Sequence, residues 1–425
     1  MTHPQKLVTW QLRALFAAGL SAMYAAEVPA YGTLVQISEE VNRAYATRHP
    51  DAERLGSLQR VTAERHGAIW VGSPAELAAV ADLFAAFGML PVGYYDLREL
   101  RSTQSRIPVV STAFRPIDTD ELVRNPFRVF TSMLATRDPR YFDAGLRARV
   151  EAFLARRQLF DPALLAKART IAADGYCDAD AAGDFVAAAV AAFALSREPI
   201  DKAWYDELSG VSAVAADIAG VGSTHINHLT PRVLDIDDLY GRMTRRGISM
   251  IDAIQGPPRT DGPAVLLRQT SFRALDEPRL FRCRDGTVGP GSLRVRFGEV
   301  EARGVALTPL GRQRYDLAMA RLGGAEDPAQ VWSDYFPPTD AQMAAQGLAY
   351  YRGGDPTAPI VYEDFLPASA AGIFRSNLDG DTKAADLADD SGYDGYDMGW
   401  LAGAIGRDIH DPYALYEALS QEALT

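Results

Sequence analysis

Cysteine is nearly absent: the 425 residues contain two, Cys177 and Cys283, far apart in the chain. That excludes a disulfide framework and a cysteine-built metal knuckle, and it suits a reducing cytoplasm. Positive charge is also scarce, with 43 Lys and Arg against 55 Asp and Glu and a formal net charge of -12. Nucleic acids and anionic membranes need clustered lysine and arginine, so a small-molecule partner is expected instead. No run approaches the roughly 20 apolar residues of a membrane span. The stretch Leu12 to Ala26, flanked by Lys6 and Arg13, could mimic a signal peptide. However, Leu12, Phe16, Leu20 and Tyr24 recur every four residues, with Leu15 and Met23 beside them, which predicts an amphipathic helix packed on a core. With 48% hydrophobic and 23% charged residues, the chain reads as a soluble globular protein long enough for one elaborate domain or two.

What is present is a pair of histidine-led segments. Glu64-Arg65-His66-Gly67-Ala68-Ile69-Trp70-Val71 precedes a helix opened by Ser73-Pro74-Ala75-Glu76, a capping box with proline at the first helical position. Its apolar face runs through Leu77, Val80, Leu83, Phe84 and Phe87 to Gly88, and strands follow at Met89–Tyr95, Pro108–Phe114 and Phe127–Leu134. Alanine-rich helical segments fill about 140–220. The first pattern then returns: a strand near His228–Val233, a helix from Asp235 through Met243, and strands at Ala264–Phe272 and Leu293–Val300. A diverged internal repeat follows. The expected fold is α+β: paired βαβββ modules, at about 60–135 and 221–308, curve their sheets around a shared metal cavity. A helical insertion separates the modules, and an extension from about 309 to 425 completes the single domain. Within that extension the acidic stretch Asp379–Asp397 reads as a solvated loop.

Of the six histidines, His3, His49 and His410 lie near a terminus or in polar surroundings, which leaves His66, His225 and His228. On a strand, His225 and His228 should point to opposite sides, and only His228 matches His66 in the repeat. Arg294 to Glu301 alternates like a strand and offers Glu299 or Glu301, which share a face, as a carboxylate. Two histidines and one carboxylate suit iron(II), with positions left open for a 2-oxo acid and dioxygen. Zinc would accept the same ligands and imply isomerase or lyase chemistry instead.

Around these residues the chain resembles the bacterial 2-oxoadipate dioxygenase/decarboxylase family, a branch of the vicinal oxygen chelate superfamily. The likeness includes Glu27-Val28-Pro29-Ala30-Tyr31-Gly32, Arg65-His66-Gly67-Ala68-Ile69 and Pro126-Phe127-Arg128-Val129-Phe130. It continues through His225-Ile226-Asn227-His228-Leu229-Thr230-Pro231-Arg232, Leu266-Leu267-Arg268-Gln269-Thr270, Arg296-Phe297-Gly298-Glu299 and Tyr362-Glu363-Asp364-Phe365-Leu366-Pro367. The resemblance implies iron(II) held by His66, His228 and Glu299, dioxygen consumed, and a 2-oxo acid converted to the 2-hydroxy acid one carbon shorter with release of CO2. It places Ala368 and Ser369 at the substrate-contacting turn, with Arg268 and Gln269 as further pocket candidates.

One residue departs from the family pattern. Where the family has arginine four residues after the first histidine, this chain has Trp70, which shares a strand face with His66 and Ala68. An indole offers apolar area and one donor, not a guanidinium fork. The expectation is therefore a 2-oxo acid with an apolar or aromatic tail, the alternative being 2-oxoadipate itself with Arg65 or Arg98 reaching its far carboxylate. A non-catalytic binding protein on the same fold would show a lost metal ligand. Nothing in the pattern fixes an oligomeric state.

Overall fold

A computed structural model describes residues 5–98, 107–293, 296–322, 327–366 and 395–422. The chain enters through a short strand, β1 (Lys6–Val8), and the helices Thr9–Glu27 and Pro29–Arg48. In the first helix the stripe Leu12, Phe16, Leu20 and Tyr24 is fully buried while Leu15 faces out, as the four-residue spacing requires. Among the described residues no helix is long and apolar enough to cross a membrane.

The first module is β2 (Arg65–Val71), the helix Pro74–Ala85, then β3 (Leu90–Asp96), β4 (Val109–Arg115) and β5 (Arg128–Leu134). Ser73 caps the helix, its hydroxyl accepting from the Glu76 amide, while the Glu76 carboxylate reaches back to the Gly72 amide. Helices Ala144–Leu154, Pro162–Asp174, Ala179–Ala191, Lys202–Ser209 and Ala213–Ala219, with short strands β6 (Tyr176–Asp178) and β7 (Ile200–Asp201), lie between β5 and the second half. That half opens with β8 (Ile226–Pro231) and the helix Ile236–Arg245, capped by Asp235, and continues with β9 (Leu267–Phe272), β10 (Glu277–Arg282), β11 (Val288–Leu293) and β12 (Gly298–Arg303).

The two halves meet edge to edge. The main sheet runs β3-β4-β5-β2-β8, with β2 parallel to β5 and antiparallel to β8. On its far side β8 meets β12 through a parallel bridge from Arg232 to Glu301, and β12 pairs antiparallel with β9. Next to β9 the segment around Met250–Gln255 makes two antiparallel bridges, to Phe272 and Gln269. The order β8, β12, β9, 250–255 thus repeats β2, β5, β4, β3. The last strand of the repeat is reduced to bridges where Gly256 (φ 101°) brings the chain against the Leu267 carbonyl, followed by two prolines that cannot donate to a ladder. The β10–β11 hairpin, which pairs with β7, is inserted between β9 and β12. The single strand expected over Leu293–Val300 is therefore two: β11 ends at Leu293 and β12 begins at Gly298.

Alternation divides the buried sheet into two faces. Ile69, Val71, Val110, Phe114, Val129 and Met133 join the large core beneath the N-terminal helices. Ala68, Val109, Ala113, Phe130 and Leu134 face a second core, against which Trp70 packs and which the helix Ala213–Ala219 closes. Both faces are covered, so β4 and β5 are buried along their whole length.

Candidate metal centre

His66 lies on β2 opposite Thr230 of β8, and Ala68 lies opposite His228, so the two histidines are diagonal neighbours on the inner face. Glu299 arrives from β12. One ligand atom from each of His66, His228 and Glu299 lies within 4.8 Å of the others, and all three residues are buried. Glu299 Oε2 is 3.3 Å from His66 Nε2 and 3.1 Å from His228 Nε2. The same oxygen accepts from the Thr230 hydroxyl at 3.0 Å, and the Gln269 amide donates to Oε1. Neither nitrogen of His228 makes a hydrogen bond, although both are shielded from water. A cation taking the Nε2 lone pair would satisfy one of them, so the donor set fits a divalent metal.

Glu301, two residues further on the same face, sits on the opposite side of the His66 ring, its Oε1 3.2 Å from Nδ1. Arg303 holds it at 2.6 Å and also donates to the carbonyls of Tyr362 and Asp364. Behind this lies a buried network: Glu64 bridges Arg128 and Arg232, each at 2.8 Å, and Glu363 bridges Arg128 at 2.6 Å and Arg60 at 2.5 Å. Burial alone would raise the Glu301 carboxyl, but Arg303, His66 and Arg128 pull it down to about 2. Glu299 also lies below the ordinary carboxylate range, burial being outweighed by His228 and His66. Burial opposes protonation of His66, yet Glu301 and Glu299 leave it raised. Phe365 stands edge-on to His66 at 5.0 Å between ring centres and contacts Phe130, while Phe297 lies 5.0 Å from His228.

The other residues anticipated for the pocket fall differently. Gln269 is at the centre, through Glu299. Arg268 is on the opposite face of β9, paired with Ala302 and held by Asp237 at 2.6 Å, so strand alternation takes it out of the pocket. Trp70 lies on the His66 face, two positions beyond Ala68, against the second core. Ala368 and Ser369, and nearly all of the acidic stretch Asp379–Asp397, lie outside the described residues. Arg65 donates to the carbonyls of Thr62 and Glu64, and Arg98 is clamped by Asp96 and Asp138, so both guanidinium groups are already engaged. The expectation that His225 and His228 oppose each other is corrected by a bulge. The register passes from Ala68–His228 to Ile69–Ile226, so Asn227 is the extra residue and His225 returns to the inner side. Thr230 was missed, although its period-two spacing from His228 was visible in the sequence.

Comparison with known proteins gives the family. Residues 16–377 match the family model described as 2-oxoadipate dioxygenase/decarboxylase. A protein of that name from Mycobacterium tuberculosis H37Rv is 78% identical, over 99% of each chain. The crystal structure of hydroxyglutarate synthase from Pseudomonas putida, in complex with 2-oxoadipate, superposes with a TM-score of 0.80 at 37% identity, covering 97% of this chain and 96% of the other. A putative glyoxalase superfamily protein from Ralstonia eutropha JMP134 shares the fold at a TM-score of 0.52 and 21% identity, covering 70% of this chain and 84% of that one. With its paired modules and its match over most of its length, the chain belongs to the 2-oxoadipate dioxygenase/decarboxylase family of enzymes.

Proposed function

We propose that this enzyme uses iron(II), held by His66, His228 and Glu299, to convert 2-oxoadipate and dioxygen into 2-hydroxyglutarate and CO2. The observation that carries the reading is the convergence of two imidazoles and one carboxylate in a buried site of a chain 78% identical to a 2-oxoadipate dioxygenase/decarboxylase. That relative's name favours 2-oxoadipate over the apolar-tailed substrate that Trp70 suggests on its own; Trp70 then serves as a pocket wall. Two unpaired cysteines suit work in the cytoplasm.

When bound, the metal supplies Lewis acidity toward the 2-oxo acid and redox chemistry with dioxygen. The protein supplies the setting. Glu301 Oε1, 3.2 Å from His66 Nδ1, favours the tautomer with the proton on that nitrogen, which leaves the Nε2 lone pair for the metal. Gln269 and Thr230 fix the Glu299 carboxylate by both oxygens. Phe130, Phe297 and Phe365 keep water from the reacting carbons and protect the reaction from uncoupled turnover. Atoms balance: the substrate loses its C1 carboxylate as CO2, and both oxygen atoms of dioxygen enter 2-hydroxyglutarate, one in the carboxylate formed at the former keto carbon and one in the hydroxyl.

The test is oxygen uptake by anaerobically iron-loaded protein on a panel of 2-oxo acids, with CO2 and 2-hydroxyglutarate measured. Stoichiometric formation of both from 2-oxoadipate is expected. Oxygen-independent turnover with zinc would overturn the proposal.

A further inference from the structure

Beside the metal centre lies a second group of buried polar atoms with no work to do within the protein. Asp217, on the helix Ala213–Ala219, is 4% exposed, and neither of its carboxyl oxygens has a hydrogen-bond partner. His225 Nε2 is 3.4 Å from Asp217 Oδ2, also without a hydrogen bond. Asn227, the bulged residue of β8, is 2% exposed with both amide atoms unpartnered. Buried polar groups are almost always satisfied, so Asp217 and His225 left open side by side, with Asn227 open two residues along the chain, imply a polar occupant.

Their position says which one. The helix carrying Asp217 closes the face on which Ala68 and Trp70 lie. Ile69 pairs with Ile226, and the Thr224 hydroxyl donates to the Trp70 carbonyl at 2.8 Å, so His225, just before β8, flanks Trp70. His225 and His228 are separated by roughly 10 Å of strand, less the bulged residue. A 2-oxo diacid of six carbons reaches roughly 5 Å from its keto carbon to its far carboxyl carbon, and the side chains cover the remainder.

We propose that Asp217, His225 and Asn227 form the receptor for the substrate's distal carboxylate, in place of the arginine that position 70 lacks. The inference rests on the 2-oxoadipate reading and deepens it. The groups act as neutral donors. Burial pushes the Asp217 carboxyl up to about 7, with Glu277 adding to the rise and Arg279, Arg296 and Arg157 opposing it, and Tyr205 lies nearby. Burial, with Arg296 and Arg279, pulls His225 down to about 3, so its ring is neutral. Below about pH 7 a protonated Asp217, an imidazole N–H and the Asn227 amide can all point hydrogens at a carboxylate; above it, ionised Asp217 repels one.

The test is equilibrium binding to iron-loaded enzyme without oxygen, read by tryptophan fluorescence, comparing 2-oxoadipate with the monoacid 2-oxohexanoate. Asp217→Leu and Asn227→Leu should each cut the preference for the diacid at least about tenfold, the loss expected for one hydrogen bond to a charged group. In the unaltered enzyme the diacid preference should fall as pH rises through about 7. In Asp217→Asn, which keeps a neutral donor, it should stay flat. Unchanged preference in the leucine variants, or the same pH profile in Asp217→Asn, would mean that the cluster holds only water and would overturn the inference. Absence of turnover with 2-oxoadipate would instead sink the functional reading, so the two failures are distinguishable.

Discussion

Glu299 and Glu301 share a strand face two residues apart, and Glu301→Gln separates their roles. The glutamine oxygen can still lie beside His66 Nδ1, but its amide then points donors at Arg303, which loses the 2.6 Å ion pair. Removing one partner of a buried charge pair costs about 3 to 5 kcal/mol. The lower end applies here because Arg303 keeps Glu64 at 3.4 Å and two backbone carbonyls. The effect on the metal is separate. Losing an outer partner of a ligating histidine typically costs about 10- to 100-fold in affinity, or about 1.4 to 2.7 kcal/mol. Urea unfolding of the metal-free protein measures the first quantity, and competition against a chromophoric chelator measures the second. Glu299→Gln should weaken metal binding well beyond Glu301→Gln. Equal losses would make Glu301 a direct ligand; unchanged affinity in Glu301→Gln would refute the positioning argument.

Further outcomes follow from the same geometry. Gln269→Leu removes the amide that holds Glu299 Oε1, and should weaken metal binding by about 1.5 to 3 kcal/mol, the range for a hydrogen bond to a charged group, in the same chelator assay. Phe365→Ala opens a cavity between His66 and Phe130. It should lower stability by about 3 to 5 kcal/mol in denaturant titration and raise oxygen uptake relative to product formed. Trp70→Arg introduced into Asp217→Leu should restore the diacid preference in the binding assay, because a guanidinium on the His66 face can take over the carboxylate; no rescue would argue that the tail lies elsewhere.

Much of this was legible in the chain because it depends on local chemistry. The β2 segment alternates apolar faces, Ser73-Pro74-Ala75-Glu76 fixes a helix start, and Asp235 caps the equivalent helix after β8. Two modules in the same order could therefore be read in one dimension. Where the second departs from the first, the reading faltered: the β10–β11 hairpin interrupts it, and the strand before β9 survives only as bridges beside Gly256.

The sequence by itself offered the donor set of the candidate centre, since few side chains carry imidazole and only His66 and His228 hold matching places in the repeat. Tertiary structure decided which side of each strand those donors occupy. Period two cannot separate Glu299 from Glu301; the meeting of β8 with β12 does, placing one at His66 Nε2 and the other at Nδ1. It cannot foresee a bulge either, and the one at Asn227 turns His225 inward beside Asp217, which the helix immediately before β8 folds back to meet. Alternation belongs to a strand, whereas register, bulges and the packing of separate elements are set by contacts between residues far apart in sequence.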